Sequence, residues 1–202
     1  MRLLLLGEWS LLFLVVPVLV YVDFLTASRI LILLAMVVYA GAVFYRARPV
    51  IKPRRTPFPL YLSERIVVFS AGLFLLALLI SPETFMEMPR ERTQLWVMIV
   101  LLYPFISALP QEFLYRHFYF WRYQPLFRNE WGVLISSILV YSFVHIIFDN
   151  IIALVLTLIG GILFATTYMY TRRLSLAWIE HAIYGQVLFT AGLGPYFYEA
   201  PW

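Results

Sequence analysis

The sequence contains no cysteine and few charged residues. Of its 202 residues, Asp, Glu, Lys and Arg make up 13%, whereas a soluble domain carries about 25%. The absence of cysteine excludes disulfides, thiolate nucleophiles and thiolate metal sites. Apolar residues make up 63% of the chain, and the mean hydropathy is +0.85. These features are typical of a polytopic membrane protein, and we expect a single integral membrane domain over residues 1–202.

Several catalytic and binding signatures are also missing. The sequence contains no H-E-x-x-H motif, no P-loop, no Gly-x-Ser-x nucleophile motif and no pair of aspartates inside an apolar run. The net charge of +4 is small and mostly local, so nucleic acid binding is not indicated. The lipid bilayer is therefore the first partner that the composition predicts.

Long apolar runs recur along the whole chain. About 20 apolar residues cross a bilayer as a helix, whereas a transmembrane strand shows alternating apolar residues. The runs are continuous, so we predict an all-α polytopic transmembrane helical bundle. The predicted spans are 4–25, 28–45, 64–81, 94–109 running on into 110–122, 131–148, 150–171 and 175–193. Pro104 and Pro110 leave open whether 94–122 is one kinked helix or two pieces, so we expect seven or eight helices.

Basic residues cluster in three predicted connections. The first is the segment 46–55, which contains Arg46, Arg48, Lys52, Arg54 and Arg55. The others contain Arg122 with Arg128, and Arg172 with Arg173. Because cytoplasmic loops are enriched in Lys and Arg, we expect all three on the cytoplasmic side. Glu8 interrupts the first apolar run, which we interpret as a retained transmembrane helix and not as a signal peptide.

Six ionisable residues inside the predicted spans are candidates for a functional site. They are Glu112, Arg116, His117, His145, Glu180 and His181. Each costs free energy in lipid unless it faces a partner, water or the bundle interior. Glu112 and Arg116 are four residues apart, which predicts an ion pair on one helix face. We expect His117 at the membrane interface. Glu180 either lies behind the site residues or pairs with Arg172 or Arg173, and we favour the pair.

One carboxylate and two imidazoles on three helices suit a hydrolytic site. Glu112, His145 and His181 could hold a zinc ion, or they could activate water without a metal. A simpler alternative for each histidine is a hydrogen bond to a nearby carbonyl. His145 lies near the far end of its span, whereas His181 lies close to the basic end. The two residues therefore converge only if the helices tilt.

Three short motifs resemble those of the CPBP family of intramembrane proteases. This family includes type II CAAX prenyl endopeptidases and bacteriocin-processing proteins. "QEFLYR" at 111–116 resembles E-E-x-x-x-R, "YSFVH" at 141–145 resembles F-x-x-x-H, and "HAIYG" at 181–185 resembles H-x-x-x-N/D. The resemblance implies a catalytic core at about 94–193. It also implies an endopeptidase of metallo- or glutamate type that acts on a membrane-associated peptide or protein in a bacterial or archaeal plasma membrane.

Two positions depart from the motifs of this family. Gln111 stands at the first glutamate, to which the family's activation of water is assigned, and Glu112 matches the second. Gly185 stands where Asn or Asp is expected, a side chain that would stabilise an oxyanion. Gln186, Asn150 or a backbone N–H are the candidates to replace it.

The resemblance and the residues together predict a membrane peptidase. Glu112 would polarise water or bind metal, His145 and His181 would position water or metal and move protons, and Arg116 would hold the geometry. Gln111 is the fifth candidate catalytic residue, as an orienter of water. The alternative is a pseudo-protease that binds membrane proteins without cleaving them. A small proton-coupled transporter is disfavoured, because internal symmetry and paired half-helices are missing from the sequence.

Overall fold

The computed structural model describes residues 2–25 and 27–197, and within these residues all regular structure is helical. Seven long helices follow one another along the chain. They are α1 (Arg2–Tyr21), α2 (Arg29–Ala47), α3 (Phe58–Ile80), α4 (Thr93–Arg122), α5 (Glu130–Phe148), α6 (Ile151–Thr171) and α7 (Leu174–Ala191). This confirms the all-α bundle. The seven helices correspond to the seven predicted spans.

The last helix differs from the others in polarity. Helices α1 to α6 contain stretches that are long and apolar enough to cross a membrane. The 18-residue α7 does not reach that hydropathy, because Glu180, His181 and Gln186 interrupt its apolar residues. The helix that carries one of the candidate site residues is therefore the least lipid-like of the seven.

Helix α4 is one continuous element of 30 residues. It contains two π-helical stretches, Pro104–Ala108 and Phe113–Phe118, on either side of the α-helical turn Leu109–Glu112. Proline has no N–H for the α-helical hydrogen bond, and π turns often mark functional positions in a helix. The first of the two sequence alternatives for 94–122 is therefore correct, and the turn between the π-helical stretches carries the candidate carboxylate.

The three basic connections meet at one end of the bundle. One Glu130 oxygen lies 2.5 Å from Arg54 Nη2 and 2.7 Å from Arg172 Nη2. The backbone N–H of Arg54 also donates to the carbonyl of Thr171 at 2.9 Å. Three connections rich in Lys and Arg can all lie on one side of a membrane only if they meet at the same end of the bundle. The assignment of this end to the cytoplasm stays a prediction.

Glu8, the carboxylate within α1, joins this helix to the end of α4. Glu8 accepts hydrogen bonds from Arg122 Nε at 2.9 Å, Arg122 Nη2 at 2.5 Å and the Tyr123 hydroxyl at 3.0 Å. Phe13, one turn further along α1, is only 1% exposed and packs on Tyr119 with ring centroids 5.1 Å apart. Helix α1 is therefore an integral part of the bundle.

A glycine brings α6 close to α5 near the candidate site. A Cβ atom built on Gly161 would lie 3.3 Å from Tyr141 Cδ1 and 3.4 Å from the carbonyl oxygen of Ile138. Small residues permit this close approach between transmembrane helices. The contact fixes Tyr141, which lies one helical turn before His145.

Candidate active site

Glu112 on α4 and His181 on α7 form a buried hydrogen-bonded pair. His181 Nδ1 lies 2.9 Å from Glu112 Oε1, and the two residues are 4% and 0% exposed. An ionised carboxylate only accepts hydrogen bonds, so Nδ1 carries the proton. In the neutral imidazole the lone pair then lies on Nε2. The pair thus presents one basic nitrogen.

Two tyrosine hydroxyls lie beside this nitrogen. The Tyr103 hydroxyl is 2.9 Å from His181 Nε2, and the Tyr141 hydroxyl is 3.4 Å from the same atom. The Tyr141 hydroxyl also donates to Gln111 Oε1 at 3.3 Å. The His181 ring stacks on Phe164 with ring centroids 4.5 Å apart and planes 10° apart. Both nitrogens and one face of the imidazole are therefore held in a fixed orientation.

Arg116 is a fully buried guanidinium next to Glu112. Its Nε lies 3.5 Å from Glu112 Oε2, so the ion pair predicted from the i, i+4 spacing is present. Its Nη1 donates to Ser137 Oγ at 3.1 Å, and its guanidinium carbon lies 4.6 Å from the centroid of the Tyr141 ring. Among the described residues, Glu112 Oε2 has no hydrogen-bond donor. Arg116 therefore balances the charge of Glu112 while the carboxylate keeps one oxygen unbonded.

His145 lies where α5 changes from an α-helix to a 3₁₀ turn. Its Nδ1 donates to the carbonyl of Tyr141 at 2.6 Å, so Nε2 keeps the lone pair in the neutral ring. The Tyr141 ring centroid lies 4.9 Å from the His145 ring and 6.1 Å from the His181 ring. Within the described part of the chain, His145 forms no hydrogen bond with Glu112 or His181. Tyr141 is thus the side chain that links the two imidazoles.

A cavity of about 830 Å³ lies in the bundle beside these side chains. Its polar wall includes Gln111, Tyr103, Tyr141, His145 and His181, and most of the remaining wall is apolar. Glu112 and Arg116 are not part of the wall. A mostly apolar cavity with a few convergent polar groups is typical of a ligand or active site. Glu112 is therefore connected to the cavity through its hydrogen bond to His181.

The side chains do not form a ligand set for a metal ion. In residues 2–25 and 27–197, no three His, Asp or Glu side chains are placed to hold one ion. His181 uses Nδ1 for Glu112 and Nε2 for Tyr103, whereas a zinc site needs three free protein donors directed at one point. We therefore derive no chemical step through a metal, and the zinc alternative stays a prediction.

Helix α7 is joined to α4 on both sides of His181. Gln186 Nε2 donates to the carbonyl of Val100 at 2.8 Å, and Trp178 Nε1 donates to the carbonyl of Pro104 at 2.6 Å. Pro104 has no N–H to offer the carbonyl of Val100, so the side chain of Gln186 provides the donor that the proline lacks. These two hydrogen bonds set the register of α7 against α4, and so they place His181 opposite Glu112.

The prediction for the partner of Glu180 was wrong. Glu180 Oε1 lies 2.7 Å from Arg65 Nη2 on α3, and Glu180 Oε2 accepts a hydrogen bond from Thr167 at 2.6 Å. Glu180 lies nearly two turns into α7 and is fully buried, well beyond the basic residues that precede the helix. Sequence reasoning missed Arg65, although it lies within an apolar run like the other candidates.

His117 lies outside the cavity. Its Nδ1 is 2.9 Å from the Tyr168 hydroxyl, and its ring packs on Phe44 with centroids 5.1 Å apart.

Sequence reasoning also missed Tyr103, which lies directly before Pro104 in an apolar run. Its only signal in the sequence was indirect, because Gly185 left a side chain missing from the expected site. The sequence therefore identified the two histidines that line the cavity, but it did not identify the Tyr103 hydroxyl beside His181.

The fold and the site define a class: a polytopic membrane protein with a buried carboxylate–imidazole pair beside an intramembrane cavity. The family model described as Type II CAAX prenyl endopeptidase Rce1-like matches residues 93–187, just under half of the chain. The match runs from α4 into α7 and includes all three motifs. Residues 93–187 are therefore similar to this protease family, and the resemblance to CPBP proteases is confirmed. No match was found among curated proteins or among solved structures.

Proposed function

We propose that the protein is an intramembrane endopeptidase that hydrolyses a peptide bond in a membrane-associated protein or peptide. The observation that carries this proposal is the Glu112–His181 pair, whose basic nitrogen lies beside a largely apolar cavity. The family match over residues 93–187 supports the same class of reaction. An apolar cavity within the bundle suits a substrate that reaches the site from the bilayer.

His181 is the group best suited to take a proton from water. When Nε2 accepts that proton, the imidazolium is stabilised by Glu112 on Nδ1, and this attraction is strong where water is excluded. The water oxygen attacks the carbonyl carbon, and the C–N bond breaks as the proton passes from His181 to the leaving nitrogen. Glu112 thus polarises water through the imidazole, and Arg116 holds the carboxylate in place.

His145 and Gln111 would position the water. His145 keeps its lone pair on Nε2, so it can accept a hydrogen bond from the water or take up its proton. Gln111 donates through Nε2 to Ser107 Oγ at 2.8 Å and accepts from Tyr141, so its amide group is held in place. An amide has no basic nitrogen, and Gln111 therefore orients water without removing its proton.

One observation favours a second candidate function, a pseudo-protease that binds without cleaving. Gln111 lines the cavity, whereas Glu112, one residue further on, is buried behind it. In the resembled motif both positions carry a carboxylate, and the activation of water is assigned to the first. A cavity without a carboxylate in its wall could bind a membrane peptide and leave it intact.

The test uses the full chain reconstituted in liposomes. The probes are two fluorescence-quenched peptides, one farnesylated at a C-terminal CAAX sequence and one apolar and unprenylated. We expect His181→Gln to lower cleavage by about 10²-fold or more, because the general base is lost. His117→Gln on α4 is the matched control and should cleave at the parent rate.

Two results would overturn the assignment in different ways. Cleavage by His181→Gln at the parent rate would refute the role of His181. Failure of the parent to cleave either peptide, combined with saturable binding of one of them, would establish the pseudo-protease.

A further inference from the structure

The side chain of Tyr103 fills the space next to Gly185. A Cβ atom built on Gly185 would lie 2.2 Å from Tyr103 Cε1 and 2.4 Å from both Cζ and the hydroxyl oxygen. Such distances are far below van der Waals contact, so any side chain at 185 would displace the tyrosine ring. Gly185 lies four residues after His181, on the same face of α7. The hydroxyl of Tyr103 therefore takes the position beside His181 that a side chain at 185 would otherwise occupy.

The hydroxyl of Tyr103 is a hydrogen-bond donor at the cavity wall. It lies 2.9 Å from His181 Nε2, which is the nitrogen that carries the lone pair. The hydroxyl of Tyr141 is further away, at 3.4 Å, and it donates to Gln111 at 3.3 Å. Of the two hydroxyls, Tyr103 has the shorter contact with the base.

The two side chains that the sequence offered as replacements for the missing donor are engaged elsewhere. The amide of Gln186 donates to the carbonyl of Val100. The amide of Asn150 donates to the carbonyls of Phe148 and Tyr196, at 3.0 Å and 2.9 Å, and its oxygen caps the first turn of α6. Neither of these two sequence candidates replaces the side chain that is missing at 185.

Hydrolysis of a peptide bond needs such a donor. Negative charge develops on the carbonyl oxygen when water attacks, and a fixed donor at that oxygen stabilises the transition state. We propose that the hydroxyl of Tyr103 is this oxyanion donor and that Gly185 is glycine because Tyr103 needs its space. The inference rests on the proposed peptidase function.

The proton movements are coupled at His181. In the resting site, the Tyr103 hydroxyl donates a hydrogen bond to His181 Nε2. When the substrate carbonyl binds, the Tyr103 O–H turns to the carbonyl oxygen, which frees the lone pair of Nε2 to accept the proton of the attacking water. Tyr103 keeps its proton throughout, and the proton from water leaves with the amine. One hydroxyl thus serves the base before the attack and the oxyanion during it.

The first test is Tyr103→Phe, which removes the hydroxyl and keeps the ring against Gly185. We expect kcat to fall by about 10²–10³-fold, as for the loss of one oxyanion donor, with KM nearly unchanged. Tyr168→Phe is the matched control, because it removes a Tyr–His contact of the same 2.9 Å length outside the cavity. A kcat of Tyr103→Phe within about threefold of the parent would refute the proposal.

A second test exchanges the two side chains. Tyr103→Ala opens the space beside Gly185, so Tyr103→Ala with Gly185→Asn can place an amide donor there. We expect Tyr103→Ala to cleave slowly and the double variant to recover at least tenfold in kcat, whereas Gly185→Asn alone should melt at a lower temperature because of the clash. No recovery in a folded double variant would count against a donor role at this position. If the parent cleaves neither peptide, the proposed function itself fails, whereas an active parent with an active Tyr103→Phe refutes only this inference.

Discussion

Glu112→Gln is the substitution that separates the charge of the buried carboxylate from its shape. Glutamine has nearly the same volume, and its amide oxygen can still accept from His181 Nδ1. What it loses is the negative charge that stabilises an imidazolium once His181 takes a proton. Because general acid–base catalysis contributes about 10²–10⁴-fold, we expect kcat to fall within that range. The binding of substrate should change little, since Glu112 is not part of the cavity wall.

The same substitution also affects stability. Arg116 lies 3.5 Å from Glu112 and is fully buried, and a buried pair broken on one side typically costs roughly 3–5 kcal/mol. Ser137 and the Tyr141 ring remain as partners of Arg116, so we expect the lower part of that range. A loss of activity therefore has to be measured per folded molecule.

Glu180→Gln is the matched control for that loss. Glu180 is equally buried and is paired with Arg65 at 2.7 Å, but it does not contact His181 through a hydrogen bond. We expect it to lower the melting temperature in detergent to a similar degree and to leave cleavage per folded molecule within about threefold of the parent. If folded Glu112→Gln cleaves as fast as the parent, Glu112 does not support the base and the reasoning on the pair is wrong.

Three further predictions concern topology, the first motif and the metal. Lys52→Cys gives this cysteine-free chain a single thiol, which should react with an impermeant maleimide only after the cells are permeabilised; labelling of intact cells would reverse the predicted topology. Gln111→Glu should cleave at least as fast as the parent, because it puts a carboxylate in the cavity wall; cleavage by this variant alone would make the parent a pseudo-protease. Treatment with 1,10-phenanthroline should leave cleavage unchanged, since residues 2–25 and 27–197 form no metal ligand set, and loss of cleavage restored by added zinc would show that the site rearranges around a metal.

The spans could be predicted because hydropathy depends on local sequence. The continuity of α4 could not, since it depends on contacts distant in sequence. Pro104 removes a backbone donor, and whether the helix breaks or continues depends on what else satisfies the freed carbonyls. Gln186, 86 residues away from Val100, provides one such contact, and π-helical turns provide the rest of the adjustment. The alternatives therefore stayed open until the packing of α7 was known.

The candidate site was predictable only in part for a similar reason. The Glu112–Arg116 pair follows from an i, i+4 spacing, which is a property of one helix. The contact of Glu112 with His181 joins residues 69 apart in sequence and depends on how two helices cross. A motif could indicate both residues but not which nitrogen meets which oxygen. Tyr103 belongs to none of the three motifs, and its proposed role as oxyanion donor was inferred from the space beside Gly185.

The low hydropathy of α7 affects how the protein is made. Glu180, His181 and Gln186 each oppose insertion of this helix into lipid, and each finds its partner on α3 or α4. The final helix is therefore retained in the bilayer by the same contacts that shape the cavity. A chain in which the carboxylate and imidazole fail to meet would leave α7 poorly anchored in lipid. We therefore expect insertion of α7 to depend on assembly of the interior site.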